Sequence, residues 1–171
     1  MPRQQCAGAV LMVKPAAFGY NPETAVTNRL QRPSDGADPQ ANARACAEFA
    51  ALVRALESEG IAVCAVEDSP TPAKPDAVFP NNWVSFHEDG TLVLYPMQAL
   101  SRRAERRPEI VAAAVERLGF KARRTVDLTH HEAHGQFLEG TGSLVLDHVN
   151  RVAYAALSAR THARRGPTSN N

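Results

Sequence analysis

The order helix, strand, loop, hairpin occurs twice in this chain, and that repetition constrains its fold more than any single motif does. In the first copy a helix ends near Ser58, with Ala45, Phe49, Leu52, Val53 and Leu56 at the three- and four-residue spacing of one buried face. Gly60 stops it. A short apolar strand follows at 61–66, then a rigid proline-rich connection at 69–75. Two strands, 83–87 and 92–95, then fold over Glu88-Asp89-Gly90. In the second copy Pro108 opens a helix with Ile110, Val111, Ala114, Val115 and Leu118 inward, and Gly119 ends it. A strand at 123–127, a loop with His130, His131 and His134, and a hairpin of 143–147 and 151–157 complete that copy. The offset of roughly 60 residues marks a modular architecture in which no unit buries its apolar face alone. Each unit therefore expects a neighbour or a cap.

An apolar strand at 10–13 precedes the first copy. Residues 15–39 carry Gly, Asn, Pro and Asp throughout and predict a long surface loop, with Asp38 as N-cap and Pro39 as first residue of the following helix. After the second copy, 163–171 is polar and aperiodic, which predicts a domain at 7–162 and a disordered tail. A chain of 171 residues with 44% hydrophobic content can hold one real core. The net charge of +1 gives no bulk attraction to nucleic acid or an anionic membrane. No apolar run approaches the roughly 20 residues that span a bilayer. Cys6, Cys46 and Cys64 show no metal or redox spacing, so a reduced, cytoplasmic protein is expected, with Cys46 and Cys64 as small core residues. His130-His131-Glu132-Ala133-His134 reads as a solvated loop rather than a metal site, and the residues call for no cofactor. In the basic run 102–107, Arg102 is expected to face a ligand and the others to form a solvated helix approach.

The chemistry concentrates in the loops that precede the two hairpins. Asp76, Asn81 and Asn82 come from the first. Glu139, followed by Gly140-Thr141-Gly142-Ser143, comes from the second. If the units pack around one axis, these loops share a mouth. A carboxylate there can accept two N–H bonds from a planar guanidinium or urea, and the glycines would let a ligand approach the backbone. The plainer alternative, that Glu139 caps local amides and the glycines make a turn, stands equally open on spacing alone.

Several motifs occur in one order: 14–24 around Phe18-Gly19, Asp76-Ala-Val-Phe79-Pro-Asn-Asn82-Trp, Arg102-Arg103-Ala-Glu105, Phe137-Leu-Glu139-Gly-Thr-Gly and Leu157-Ser-Ala-Arg160-Thr161. Together they resemble the amidinotransferase, or guanidine-modifying, superfamily, and more narrowly the arginine-deiminase-related proteins, some of which hydrolyse citrulline. The resemblance implies an α/β fold: about the N-terminal half of a pentein, the five-bladed α/β propeller, built of repeated helix-strand-hairpin units. It implies a small guanidino or ureido amino acid as ligand, and no nucleic acid or membrane partner. Glu139 would bind the reacting group and orient a histidine. Asp76 and Asn82 would bind substrate, Arg102 and Arg160 would hold its α-carboxylate, and Phe18 and Gly19 would belong to a lid. Asn82 stands where a guanidinium binder usually has Asp, and an amide that both donates and accepts favours citrulline over arginine.

In that superfamily a cysteine thiolate attacks the central carbon and a histidine moves the protons. Neither is matched by a cysteine or histidine here, so the resemblance implies a chain ending before them and inactive alone. The alternative is a non-catalytic amino-acid-binding remnant or a pseudogene product. Unpaired propeller edges would favour self-association.

Overall fold

The computed structural model describes residues 5–28, 31, 38 and 40–162. Strand β1 (Ala9–Lys14) is followed by the short helix α1 (Pro22–Ala25), the long helix α2 (Ala41–Ser58) and strand β2 (Ala62–Glu67). Strands β3 (Val84–Phe86) and β4 (Thr91–Leu94) form the first hairpin. Helices α3 (Leu100–Arg103) and α4 (Pro108–Arg117) lead to β5 (Arg124–Asp127). A helical turn, α5 (Gly140–Ser143), runs straight into β6 (Leu144–Asp147), which pairs with β7 (Val152–Ala155).

The repeat is real and its unit is sharper than the sequence reading. β1 pairs with β2 in parallel across α2, and β4 pairs with β5 in parallel across α4. Each crossover strand is then followed by an antiparallel hairpin, β3–β4 or β6–β7. Strand β4 thus closes the first unit and opens the second. The described sheets are β1-β2, β3-β4-β5 and β6-β7.

The core lies between the first two sheets and α4. Val13, Ala77, Trp83, Val84, Leu92, Met97 and Ile110 are buried together, with Leu11, Val66, Phe86, Leu94 and Val111 packed against them. Trp83 is expected in strand but ends the 3-10 turn Pro80–Asn82, and is 1% exposed. Phe86 lies edge-on to Phe120 at 5.1 Å. Pro108 takes the N-terminal position of α4, where its missing N–H costs nothing.

Three expectations need correction. Gln40, not Asp38, is the N-cap of α2; Asp38 instead accepts from the Gln40 N–H at 2.9 Å, and Pro39 lies outside the described residues. Leu52 is half exposed, because α2 presses on β2 through a narrower stripe centred on buried Phe49. The segment 15–28 is not simply a surface loop. It contains α1, capped by the Asn21 side chain with Pro22 behind it, and Asn21 and Thr24 are buried. The tail 163–171 lies outside the described residues. No described helix is long and apolar enough to cross a membrane.

Candidate active site

Glu139 is the N-cap residue of α5 and is 1% exposed. A bridge between Leu138 and Thr161 brings the two chain segments together and sets Arg160 beside it. Glu139 Oε1 accepts from the Gln98 N–H at 3.0 Å. Its Oε2 faces Arg160 Nη1 at 3.3 Å and Arg102 Nη1 at 3.8 Å. Ser143 Oγ accepts from the Glu139 N–H and donates to the Arg160 carbonyl, so backbone and side chain of this pair are locked together.

Arg102 is the floor of the arrangement. Its Nε and Nη2 form a two-pronged pair with Glu105, both at 2.9 Å. Nη2 also lies 3.4 Å from the carbonyls of Asp76 and Phe79, and Nε lies 3.8 Å from Asp76 Oδ2. One buried guanidinium therefore answers Glu105, Asp76 and Glu139 at once. Burial by itself disfavours charge on Arg102, but the Glu105 bonds and the three carboxylates outweigh it and hold the proton above the usual range. Burial pushes Glu105 up to about 7; Arg102 pulls it down, while Asp76 and Glu139 push it further up.

Asp76 spends its oxygens on the chain itself. Oδ2 accepts from Asn21 Nδ2 at 2.7 Å and Thr24 Oγ1 at 3.1 Å, and Oδ1 accepts from Gln31 Nε2 at 3.2 Å. Glu23 accepts from the N–H groups of Leu100 and Ser101, both at 2.8 Å, capping α3. These contacts clamp α1 onto the Asp76 loop and onto α3, the helix that carries Arg102. Phe18 and Gly19 sit just ahead of that clamp, with the Phe18 N–H bonded to Asn42 Oδ1 at 2.8 Å and Gly19 in open space.

Asn82 is buried where α5 lies on the Pro80–Asn82 turn. Its Oδ1 accepts from Asn81 Nδ2, which also donates to Thr141 Oγ1 at 2.9 Å. A Cβ on Gly142 would stand 2.4 Å from Asn82 Oδ1, and one on Gly140 would stand 2.2 Å from the Asn81 carbonyl. The two glycines thus admit the chain's own asparagine loop, not a ligand as the spacing led us to expect.

Sequence reasoning missed Glu105, Asn21, Thr24 and Glu23. Glu105 was readable three residues after Arg102 in a helical stretch, and Asn21-Pro22-Glu23 carries an N-cap signal. The histidine run forms a 3-10 turn, Thr129–His134, whose centre is Glu132: it accepts from the Met97 N–H at 2.7 Å and pairs with Arg106 and with Arg103. Arg103, Arg106 and Arg107 are therefore internal partners rather than a solvated face, Arg107 facing Asp68 at 3.8 Å. Among the described residues, no three His, Cys, Asp or Glu side chains gather to hold a metal. The cysteines stand elsewhere. Cys64 is buried in β2, Cys46 Sγ contacts the Pro15 carbonyl, and exposed Cys6 lines a cleft of about 850 Å³ to which none of the site residues contributes.

A family model for eukaryotic N,N dimethylarginine dimethylhydrolase matches residues 14–165. The chain belongs to this family. The amidinotransferase resemblance and the pentein-type α/β fold are both borne out. Comparison with the curated proteins gave no match. Among solved structures, the Pseudomonas aeruginosa dimethylarginine dimethylaminohydrolase, a cysteine-to-serine mutant complexed with citrulline, is 23% identical with a TM-score of 0.61; the match covers 91% of this chain and 52% of that one. ArgZ, an arginine dihydrolase from the ornithine-ammonia cycle in cyanobacteria, is 20% identical with a TM-score of 0.53, over 88% of this chain and 18% of that one. A mutant of AgrE in binary complex with L-arginine is 20% identical with a TM-score of 0.56, over 86% and 19%. The chain thus spans about half the length of the dimethylaminohydrolase and about a fifth of the longer proteins.

Proposed function

We propose that this chain forms the recognition half of an enzyme that hydrolyses the terminal group of a ureido or guanidino amino acid, citrulline ahead of arginine. The observation that carries this is the pair at the rim: fully buried Glu139 facing Arg160, whose side chain is 26% exposed. In this reading the nitrogen end of the ligand replaces the Arg160 guanidinium on Glu139, which offers the carboxylate fork that planar N–H groups require. Arg160 swings to the ligand's α-carboxylate. Arg102 and Asp76 act from below, holding Glu139 and the clamp at α1 in place, and Phe18 and Gly19 close over the ligand. Residues 7–162 form one domain, and the three unpaired cysteines fit the reducing cytoplasm.

Charge balance supports a neutral head group. Asp76, Glu105 and Glu139 carry three negative charges against two on Arg102 and Arg160, leaving one in surplus. The proton that Glu105 holds up to about pH 7 removes it. Above that pH the surplus returns and favours the arginine cation, which is the observation behind the second reading. Asn82 at the α5 contact adds a neutral amide rather than a further charge.

Chemistry of this type needs a thiolate to attack the central carbon and a base to move the protons. No described cysteine stands at Glu139, so we expect residues 1–171 to bind without turnover. Calorimetry of the full chain with citrulline and arginine at pH 6 and pH 8, beside an assay for ornithine and ammonia, tests this. Citrulline should lead at pH 6 and arginine should gain at pH 8. Glu139→Gln and Arg160→Gln should each remove the heat. Absence of heat from both ligands at millimolar concentration, or turnover by the chain alone, overturns the reading.

A further inference from the structure

Between β4 and α3 the chain runs through Tyr95, Pro96, Met97 and Gln98 outside any strand or helix, and Met97 is fully buried there. Backbone polar groups in such a stretch must find partners elsewhere in the protein, because burial takes water away. Here they do. The Tyr95 N–H donates to the Trp83 carbonyl at 2.9 Å, and the Pro96 carbonyl accepts from the Leu138 N–H at 3.2 Å. The rest go to charged side chains. The Met97 N–H donates to Glu132 Oε1 at 2.7 Å, and the Gln98 N–H donates to Glu139 Oε1 at 3.0 Å. Arg103 Nε donates to the Met97 carbonyl at 3.0 Å, and its Nη2 lies 3.5 Å from the Gln98 carbonyl. Arg106 Nη1 lies 3.5 Å from the Tyr95 carbonyl.

Two consecutive N–H groups are thus held by two carboxylates from one loop of the second unit. The two carboxylates differ in what stands behind them. Glu139 faces Arg160 at the rim. Glu132 faces inward to two arginines: Arg106 meets it with Nη1 and Nη2, and Arg103 Nε lies 3.3 Å from its Oε2. The Arg103 guanidinium also stands 6.0 Å over the ring of Phe137, two residues before Glu139. Glu132 is therefore the anion that lets Arg103 and Arg106 sit side by side, and Arg103 in turn grips the carbonyls of Met97 and Gln98. Without Glu132 the two cations would repel each other, and the Met97 N–H would be buried with no acceptor.

From this we infer that Glu132 is a positioning residue for Glu139. Its own oxygens go to Met97, Arg103 and Arg106, not to the rim. Through Met97 and Arg103 it fixes the Gln98 N–H, and that N–H holds Glu139 Oε1 so that Oε2 stays turned to Arg160. A site carboxylate keeps its orientation only when the groups that bond it are themselves locked. The consequence for a ligand rests on the reading that Glu139 receives its nitrogen end; the holding of Gln98 does not.

Amide hydrogen exchange of the full chain, read by NMR, tests the holding. Glu132→Ala should speed exchange at the Gln98 N–H roughly tenfold or more beyond any change at Asp68 and His87, whose N–H groups donate to the Lys14 and Thr91 carbonyls away from this strap. Glu132→Gln keeps an oxygen for Met97 and should fall between. Arg103→Met keeps the apolar stem, removes the grip on both carbonyls and should speed Gln98 likewise; it carries the comparison should Glu132→Ala not fold. Calorimetry with citrulline tests the consequence: Glu132→Ala should weaken binding roughly tenfold or more, and Glu132→Gln less. Exchange at Gln98 unchanged in both variants, or accelerated only in step with Asp68 and His87, overturns the inference. So does faster exchange at Gln98 with citrulline binding undiminished. Citrulline that fails to bind the unaltered chain would sink the proposed function instead, and the Gln98 comparison would still decide whether Glu132 holds the strap.

Discussion

The two hairpins are built from the same pattern and live in different surroundings. In β3–β4, Val84 and Leu92 are buried, Tyr95 follows at 4% exposed, and β5 lies along the edge. In β6–β7, Val145, Val152 and Tyr154 stand open. The local code is shared, since both are short alternating runs over turns with polar residues. What differs is the neighbour. Hydrophobic stabilisation follows area removed from water, not residue type, so the first hairpin anchors the core and the second contributes little to the stability of a single copy.

The sharpest test of this contrast is a pair of truncations compared by denaturant unfolding. Trp83→Ala should cost about 3–5 kcal/mol, in the range of large aromatic deletions from a packed core. At the junction of the two units, Gly142→Ala forces a methyl onto Asn82 and should cost about 1–3 kcal/mol. Smaller and dependent on pH is the effect of Glu105, the buried carboxylate on the first unit's side of the site. The folded chain holds its proton up to about pH 7, against 4.5 as the reference value. Its contribution is therefore full below about pH 4.5 and lost as pH rises through 7. His87 works in the opposite sense: burial, then the neighbouring His148, keep it below 6.5, so its contribution is lost as pH falls through that depressed value. Glu105→Gln should flatten the fall in stability between pH 5 and 7, seen by repeating the unfolding curves across that window. A Glu105→Gln chain with the unchanged slope would rule out this assignment. Val145→Ala should lie within about 0.5 kcal/mol; a larger cost would show the second hairpin to be buried after all.

Much of the scaffold was legible because periodicity records burial. The face of α4 read from Ile110 and Ala114 is the buried one, and the Asp-Gly turn signal at 89–90 places the first hairpin correctly. Leu52 misled because periodicity shows which face is apolar, not how wide a stripe its neighbour covers. The site was half legible. Glu139, Arg160 and Arg102 do come together, and motif order pointed to them. The partners were not readable: that Asp76 would be consumed by Asn21, Thr24 and Gln31 depends on contacts across 45 to 55 residues, which no local signal encodes. The glycines of α5 were read as room for a ligand because sequence shows that a side chain is missing, not what fills the space.

The sharing of β4 between the two units has a consequence for anyone who would cut, shuffle or duplicate this chain. A boundary drawn at the apparent repeat, between hairpin and following helix, separates β4 from β5 and severs a parallel ladder that runs from Thr91 to Leu94. The stretches between a crossover strand and the next hairpin, 68–79 and 128–139, hold no strand ladder, but they carry Asp76, Glu132 and Glu139, so a joint there must keep those residues with the hairpin that follows. A block exchanged there carries hairpin, helix and strand as one piece, and it would bring its half of the Glu139 site with it.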